Sequence, residues 1–253
     1  MKNFALILVL LTAFCYRLQA QKASPDQFQT HNGPLTVQPI LHGSLVLTWN
    51  EQTIYIDPYG GKSAFDGMAT PDLILITDIH GDHLNTGTLE TIDVSNTTII
   101  CPQAVADKIP GKYKSKLKVL GNGESLEWSN VKIAALPMYN LPETPDSRHP
   151  KGRGNGYLIE LGGKTVYISG DTEDIPEMRA LKNIDIAFVC MNLPYTMNID
   201  QAASAVLEFV PKVVYPFHYR GKEGLSDVEG FKRLVAKGNK NIDVRLRNWY
   251  PGN

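Results

Sequence analysis

The chain has 253 residues, a formal net charge of −1 and 43% hydrophobic residues, so it is long enough to bury a full core as one domain. The near-neutral balance argues against a nucleic-acid surface, which needs clustered Lys and Arg. It also gives no basic helix of the kind that binds membranes. We therefore expect a small-molecule substrate and no nucleic acid as partner, and the sequence leaves the oligomeric state open.

The first twenty residues have the pattern of a secretory signal peptide. Lys2 gives a positive start, an apolar run covers residues 4–14, and a small residue stands at Ala20. The run is too short for a membrane span, and Phe14 before Cys15 is too large for a lipoprotein signal. We expect cleavage after Ala20, a periplasmic or secreted protein, and a mature chain without a stable membrane span.

The remaining chain divides into a linker and one folded domain. Residues 21–34 are polar and contain proline, so we interpret them as a linker before a domain at residues 35–253. Strands first, then alternating strands and helices, occur twice along this domain, which predicts a mixed α/β domain with sheets sandwiched between helices. The predicted strands lie at 37–40, 44–49, 52–56, 73–76, 98–101, 118–120, 125–128, 131–136, 157–161, 165–168, 184–191, 213–217 and 243–246, and the predicted helices at 86–92, after Pro102, around 176–181, at 199–209 and at 228–236. Cys101 and Cys190 fall within strand-like runs, so we expect two buried thiols rather than a disulfide.

One stretch combines a short buried strand with a dense group of metal-binding residue types. The apolar run 73–76 is followed by Asp78, His80, Asp82 and His83. Carboxylate oxygens and imidazole nitrogens bind zinc, manganese or iron. In extended chain Asp78 and His80 point to the same side, and Gly81 then permits a turn that brings the other two beside them. A polar strand-to-helix connection is the alternative, but two Asp and two His in six positions favour a metal site.

Further candidates also fall at the ends of predicted strands. Asp171 follows one strand, His218 follows another, and His149 lies in a loop at 137–154 that is long enough to be functional. Taken alone, His149 could equally be an ordinary surface or core histidine. The segment Gly152-Arg153-Gly154 precedes a strand rather than a helix, so we interpret it as a lid hinge or tight turn and not as a nucleotide loop.

The motifs together resemble those of the metallo-β-lactamase superfamily. Residues 77–83 are similar to its T-H-x-H-x-D-H motif, residues 169–172 to its second motif, and residues 216–219 to the strand with its last ligand. Residues 41–44 and 56–58 resemble the branch that contains ascorbate-6-phosphate lactonase and N-acyl phosphatidylethanolamine phospholipase D. The resemblance implies a four-layer αββα sandwich with two divalent ions, zinc first among the candidates and manganese or iron as alternatives.

The resemblance also implies a role for each candidate. Asp82, His83 and His218 match one metal position, and Asp171 is placed to bridge the two ions. At the other position His80 matches the family, but Asp78 stands where the family has its first histidine. The family's next histidine is also missing, because residues 138–140 are Met-Tyr-Asn. His149 could supply the missing ligand, with Asn140 as the runner-up. His42, Asp57 and Asn140 are expected to support the ligands from behind, although His42 could equally be packing in a strand.

Three functions follow from this interpretation. The first is an exported hydrolase that uses a metal-bound hydroxide on a small ester, lactone or phosphodiester, with Asp82 as the catalytic residue that orients or deprotonates the water. Tyr195 and Arg220 are the candidate substrate-binding residues, since Arg suits a phosphate or carboxylate. The second is a phospholipase-D-like phosphodiesterase, which needs an apolar groove for acyl chains. The third is a metal- or ligand-binding relative that has lost catalysis at the altered position.

Overall fold

The computed structural model describes residues 24–144 and 146–250. The proposed signal peptide lies outside the described residues. The chain forms two seven-stranded sheets and a short two-stranded ribbon. The strands of the first sheet are β1 Asp26–Thr30, β2 Gly33–Leu41, β3 Ser44–Trp49, β4 Gln52–Ile56, β5 Leu73–Leu75, β6 Thr98–Cys101 and β7 Leu117–Val119. Those of the second are β8 Ser125–Trp128, β9 Val131–Met138, β10 Gly154–Leu161, β11 Lys164–Ile168, β12 Ile186–Cys190, β13 Val213–Phe217 and β16 Asp243–Val244, and the ribbon pairs β14 Arg220–Gly221 with β15 Gly224–Leu225.

Helices cover the outer faces of the sheets. They are α1 Thr86–Thr91, α2 Gln103–Lys108, α3 Pro176–Arg179, α4 Ile199–Phe209 and α5 Val228–Gly238, with 3-10 turns at Lys62–Phe65 and Gly111–Lys116. The helix α4 begins with a capping box, in which the Asn198 side chain accepts from the Gln201 backbone N–H and the Gln201 side chain accepts from that of Asn198. None of the helices in the described ranges has the length and apolar content needed to cross a membrane.

The two halves of the domain repeat one topology, as the sequence predicts. In each sheet the first four strands pair antiparallel, and the connections to the following three are parallel. Parallel neighbours need crossover connections, and here these carry the helices and several of the long loops. The carboxyl ends of the parallel strands in both sheets are therefore free to present functional side chains.

The alternation of side chains along β5 shows how the layers are stacked. Leu73 and Leu75 pack into the core between the two sheets, whereas Ile74 and Ile76 pack against the helical layer that contains Leu89 and Val105. All four strand residues are completely buried, and full burial of a Leu or Ile side chain contributes about 1.5–3 kcal/mol. A strand that is buried on both faces of its sheet needs apolar side chains on both. Residues 73–76 are therefore all apolar and do not alternate between apolar and polar residues. The prediction of an αββα sandwich is confirmed.

The expected linker is wrong in one respect. Residues 26–30 form β1, which pairs with β2 from Asp26↔Val37 to Thr30↔Gly33 and extends the first sheet. Its central Phe28 packs against the core between the sheets. An edge strand with one partly buried aromatic residue and polar neighbours lacks the alternation of apolar residues that predicts a strand. The polar composition therefore led to the interpretation of a linker. Cys101 and Cys190 are free and buried, as predicted.

Candidate metal centre

Side chains from both sheets meet where parallel and antiparallel strands end. The segment after β5 supplies Asp78, His80, Asp82 and His83, the β9–β10 loop supplies His149, and the segments after β11 and β13 supply Asp171 and His218. A helical turn, in which the His83 and Leu84 amides donate to the His80 carbonyl, brings Asp82 and His83 round beside the strand end. All seven predicted metal ligands lie in two adjoining clusters.

The first, which we call the inner cluster, consists of His83, Asp171 and His218 with Asp82 at its rim. The Nε2 atoms of His83 and His218 face one another at 3.3 Å. Asp171 lies between them, with Oδ2 at 3.4 Å from His83 Nε2 and Oδ1 at 3.3 Å from His218 Nε2. Asp82 Oδ2 is 3.4 Å from His218 Nε2. Four donor atoms thus converge on one point in a pocket where only Asp82 is substantially exposed.

Hydrogen bonds fix the orientation of His83. Its Nδ1 lies 2.8 Å from Asp57 Oδ2, and a carboxylate only accepts, so Nδ1 carries a proton and Nε2 is the ring nitrogen that faces the cluster. Asp57 is itself held by the Thr77 amide at 2.8 Å and by the Thr77 hydroxyl. A carboxylate behind a histidine fixes the ring and raises its basicity as a ligand. Asp57 therefore has the supporting position that the sequence predicts.

His218 and His42 are held together at the turn between β2 and β3. The His218 backbone N–H donates to the His42 carbonyl at 3.1 Å, and the two rings lie 3.9 Å apart between centroids. His42 Nε2 is 3.2 Å from Asp82 Oδ2, and its Nδ1 is 2.8 Å from the Tyr250 hydroxyl. Both histidines have a left-handed backbone, with φ of 59° and 46°, a conformation that is uncommon outside functional sites for non-glycine residues. His42 thus supports Asp82 and His218 rather than only packing in a strand.

The second, which we call the outer cluster, consists of Asp78, His80 and His149. His80 Nδ1 lies 2.7 Å from Asp78 Oδ2, and the rings of His80 and His149 are 5.1 Å apart between centroids. His149 Nε2 lies 3.2 Å from Asp171 Oδ2, so Asp171 faces both clusters. Asp171 thus lies between the two clusters, and its expected role as a bridging ligand stays a prediction.

The hydrogen bonds between His149 and Asn140 favour His149 as the candidate ligand. The Asn140 side-chain oxygen accepts from the His149 backbone N–H at 2.8 Å and from His149 Nδ1 at 3.1 Å. Its amide nitrogen donates to the Tyr195 carbonyl at 2.8 Å and to Glu173 at 3.1 Å. Asn140 therefore orients the His149 ring, with Nε2 toward Asp171, and has no atom left for a ligand role. The long loop delivers His149, which is completely buried.

A glycine is required beside Asp171. Gly170 has φ of 61°, and a Cβ there would lie 2.6 Å from the sulfur of Met138 and 3.0 Å from the Asn155 carbonyl. Any side chain would therefore push the 169–171 turn away from the sheet and displace Asp171 from the two clusters.

Arg153 is the residue at this centre that the sequence did not predict. Its Nε and Nη2 lie 3.1 and 3.0 Å from Asp78 Oδ1 and Oδ2, so the guanidinium forks onto the whole carboxylate. Burial alone would raise the pKa of Asp78, but the contact with His80 and the charges of His83, His80 and Arg153 lower it to about 2. Residues 151–153 form a turn before β10, which agrees with the tight-turn interpretation and not with a lid hinge.

The charges of the inner cluster favour ionised carboxylates. Burial would raise the pKa of Asp171, but His218 and His83 outweigh it and hold that pKa well below its usual range. The pKa of Asp82 is also lowered, because the hydrogen bonds from His218 and His42 outweigh its burial. Burial lowers the pKa of His42, whereas Asp171 and Asp57 outweigh burial at His83 and raise its pKa well above the ordinary value. Anionic carboxylates and inward-facing imidazole nitrogens are a donor set that suits a divalent ion.

Unpartnered donor atoms test whether a metal fits this centre. His80 Nδ1, His149 Nε2 and Asp171 Oδ1 are buried and make no hydrogen bond of acceptable geometry, although each lies within 3.3 Å of another group of the clusters. Buried polar atoms are rarely left unpaired, and close approach without hydrogen-bond geometry is what atoms aimed at a common ion show. The residues therefore fit a metal in both clusters.

The two candidate substrate-binding residues lie on opposite flanks of the centre. Arg220 stacks on the ring of Tyr250 at 4.3 Å, and Tyr250 is the hydrogen-bond partner of His42. Tyr195, whose carbonyl holds Asn140, has Arg148 over its ring at 4.2 Å. Arg148 and Tyr250 complete these stacks and were not predicted, because their partners are far apart in the sequence.

Comparison with known proteins agrees with this architecture. A beta-lactamase superfamily domain model matches residues 36–218. A UPF0173 metal-dependent hydrolase from Pyrococcus abyssi is 32% identical over 202 residues, which cover 76% of this chain and 88% of that protein. A solved structure from Parabacteroides distasonis, described as a metal-dependent hydrolase, is 40% identical, has a TM-score of 0.78, and is matched over 89% of this chain and 98% of that one.

A more distant structure has the same fold. The metallo hydrolase Igni18 from Ignicoccus hospitalis has a TM-score of 0.72 at 23% identity, over 87% of this chain and 96% of that one. The family match spans both sheets and includes all seven clustered positions. The last of them, His218, is the residue at which the match ends. The chain therefore belongs to the metallo-β-lactamase superfamily, in company with relatives that are named metal-dependent hydrolases.

Proposed function

We propose that the protein is a metal-dependent hydrolase that acts on a small ester, lactone or phosphodiester. The observation that carries this proposal is the convergence of two clusters on Asp171, where buried donor atoms of His80 and His149 have no hydrogen-bond partner. The names of the relatives from Pyrococcus abyssi and Parabacteroides distasonis support it.

The chemistry follows from the donor set. A bound divalent ion would act as a Lewis acid toward the scissile oxygen and would lower the pKa of a water molecule toward neutrality. The mixed imidazole and carboxylate ligands suit zinc first, and also manganese or iron. We propose two ions, one for each cluster.

Asp82 is the proposed catalytic residue. Its side chain is 31% exposed at the rim of the inner cluster, where it can contact both a ligand and a water molecule. Because its pKa is lowered, Asp82 is ionised near neutral pH. A strongly acidic carboxyl is a poor proton acceptor, so Asp82 is better suited to orient the attacking water than to deprotonate it. His42 holds Asp82 in that orientation.

The flanks of the centre favour a substrate with an anionic group. Arg148 and Arg220 each stack on a tyrosine, and within the described residues neither has a carboxylate partner. A guanidinium that stacks on an aromatic ring keeps its in-plane donors available for a carboxylate or phosphate. We propose that one or both of these arginines contact such a group on the substrate.

A groove beside the centre favours the phospholipase-D-like phosphodiesterase as a second candidate. It has a volume of about 440 Å³ and lies between Leu193-Pro194 and the β14–β15 ribbon. Leu193 and Leu225 on its walls are 45% and 50% exposed, and exposed apolar side chains that line a groove are typical of binding sites. An acyl chain of a phosphodiester is the occupant that this candidate requires.

The proposed function is tested by metal analysis together with a substrate screen. Purified protein is analysed for zinc, manganese and iron, and is assayed on lactones, carboxyl esters and phosphodiesters with short and long acyl chains. We expect a metal-dependent activity on at least one class, loss of activity in His218→Ala, and no loss in the matched control His31→Ala, since His31 is exposed and outside both clusters.

The possible results separate the candidates. Turnover that increases with acyl length, and that Leu193→Asp abolishes, supports the phospholipase-D-like function. Metal binding without turnover of any class supports a binding relative that has lost catalysis. A protein that binds no divalent ion in either cluster contradicts the proposal.

We also propose that the protein is exported. The positive start, apolar run and small residue in residues 1–20 support this. Sequencing the amino terminus of protein from its native host should find a chain that begins near Gln21. An intact Met1, or a lipid on Cys15, would contradict export by this route.

A further inference from the structure

Asp78 is held on two sides at once. It is completely buried, and both carboxylate oxygens contact Arg153 at 3.0–3.1 Å. Oδ2 also lies 2.7 Å from His80 Nδ1 and belongs to the outer cluster. One carboxylate therefore joins a fixed cation to a candidate metal position.

The inner cluster has no equivalent cation. Within the described parts of the chain, the ion pairs of Asp82 and Asp171 are with histidines alone. Arg153 pairs with Asp78 only. The guanidinium is thus a specific feature of the outer cluster and not a general response to the acidic residues of the centre.

Backbone contacts next to Arg153 fix its position. The Asn155 backbone N–H donates to the Thr77 carbonyl at 2.9 Å and joins the start of β10 to the end of β5. Gly154 permits this approach, because a Cβ there would lie 2.9 Å from the same carbonyl. Arg153 is adjacent to this fixed point, so the backbone holds its guanidinium beside Asp78.

The opposite charges of Asp78 and Arg153 determine the net charge of the outer cluster. An anionic ligand in the outer cluster would make that position more negative and harder, which favours manganese or iron relative to zinc. The guanidinium cancels this charge while Oδ2 still faces His80 and His149. A buried carboxylate paired with its own cation has the net charge of a neutral imidazole.

We propose that Arg153 tunes the outer metal position, and that Asp78 and Arg153 together act as one neutral ligand that preserves a preference for zinc. This inference rests on the proposed metal site. Arg153 is a positioning and charge-compensating residue and does not itself contact the ion.

The test is an exchange of both members of the pair. Four proteins are compared, namely wild type, Asp78→His, Arg153→Met and the double variant, and zinc per chain is measured at limiting and saturating zinc and in competition with manganese. His149→Ala identifies the outer ion. The control is Arg245→Met, which removes another arginine that pairs with a largely buried aspartate, Asp26, outside both clusters.

Asp78→His leaves the guanidinium without a carboxylate beside a divalent ion. We expect zinc affinity of the outer position to fall by roughly 10–100-fold, the range found for partners behind metal ligands. The double variant should recover most of that loss, because a neutral histidine needs no cation. Arg153→Met should retain the outer ion but lower its zinc-over-manganese affinity ratio by about tenfold, and its metal-free form should melt below that of wild type. Arg245→Met should leave metal binding unchanged.

Other results would overturn the inference. Undiminished outer zinc in Asp78→His shows that Arg153 compensates nothing. A second ion that binds to Arg153→Met but not to wild type shows that Arg153 excludes the metal instead. An unchanged selectivity in Arg153→Met shows a purely structural pair. In these three cases an ion at the inner cluster leaves the proposed function standing, whereas a wild type without any bound ion ends both proposals.

Discussion

The inner and outer clusters share Asp171 but hold their other residues in different ways. The inner His83 is oriented by a carboxylate, Asp57, whereas the outer His149 is oriented by a neutral amide, Asn140. The inner carboxylates face only histidines, while the outer Asp78 is neutralised by Arg153. The inner cluster therefore has the more basic ligand and the larger negative charge. We expect it to bind its ion first and more tightly.

Asp171 is common to the two clusters, so its substitution should affect both. In Asp171→Asn each cluster loses the anion that lies between its imidazoles. We expect the loss of both ions and the largest fall in melting temperature, since ions that bind only the native state stabilise it by mass action. Metal analysis and thermal unfolding measure this. Retention of one ion would show that Asp171 belongs to a single position.

Single histidine deletions should separate the two clusters. His83→Ala removes a candidate ligand of the inner cluster, and His149→Ala removes one of the outer cluster. We expect each variant to lose one ion, and the inner deletion to cost more stability and to abolish activity. Stoichiometry from metal analysis after dialysis gives the answer, with His31→Ala as the control. If His149→Ala keeps wild-type stoichiometry and affinity, the loop histidine is not a ligand.

The partners behind the rings offer a finer comparison. Asp57→Asn keeps the shape of the side chain but removes the charge behind His83. We expect inner metal affinity to fall by roughly 10–100-fold, and outer affinity to change little. Competition with a chelating dye measures both. An equal effect on the two positions would contradict the assignment of Asp57 to the inner cluster.

The smallest effect expected is a pH dependence of the metal-free protein. The folded-state pKa of His83 is raised, so the stability from its protonated ring is fully present below the unfolded pKa of about 6.5. That stability is lost as the pH rises through the folded pKa. Metal-free wild type should therefore lose melting temperature as the pH rises above about 6.5, relative to His83→Gln. The reverse trend should be seen for metal affinity, because the ion competes with the proton on the ring.

Most of the architecture is predictable because its signals are local. The limits of α4 at Ile199–Phe209 and of β13 at Val213–Phe217 are those that the sequence predicts. The apolar run at 73–76, for example, acts within a few residues of the chain. β1 has no such signal, because its position depends on pairing with β2 and on one aromatic contact.

The candidate residues of the centre that lie in sequence motifs could be predicted. The group from Asp78 to His83 is contiguous, and Asp171 and His218 follow recognisable strands. Arg153 is 75 residues from Asp78, and no local pattern relates a glycine-flanked arginine to a buried carboxylate. The choice between His149 and Asn140 likewise depended on how a long loop folds back, and it is the hydrogen bonds within that loop that favour His149.

The contact between His83 and His218 joins residues that are 135 positions apart and belong to different sheets. An ion held by both would be a cross-link between the two halves of the domain. Because this cross-link forms only once the halves have docked, its removal should accelerate unfolding more than it slows refolding. The lifetime of the folded protein would then depend on the metal supply of its surroundings as well as on the sandwich core.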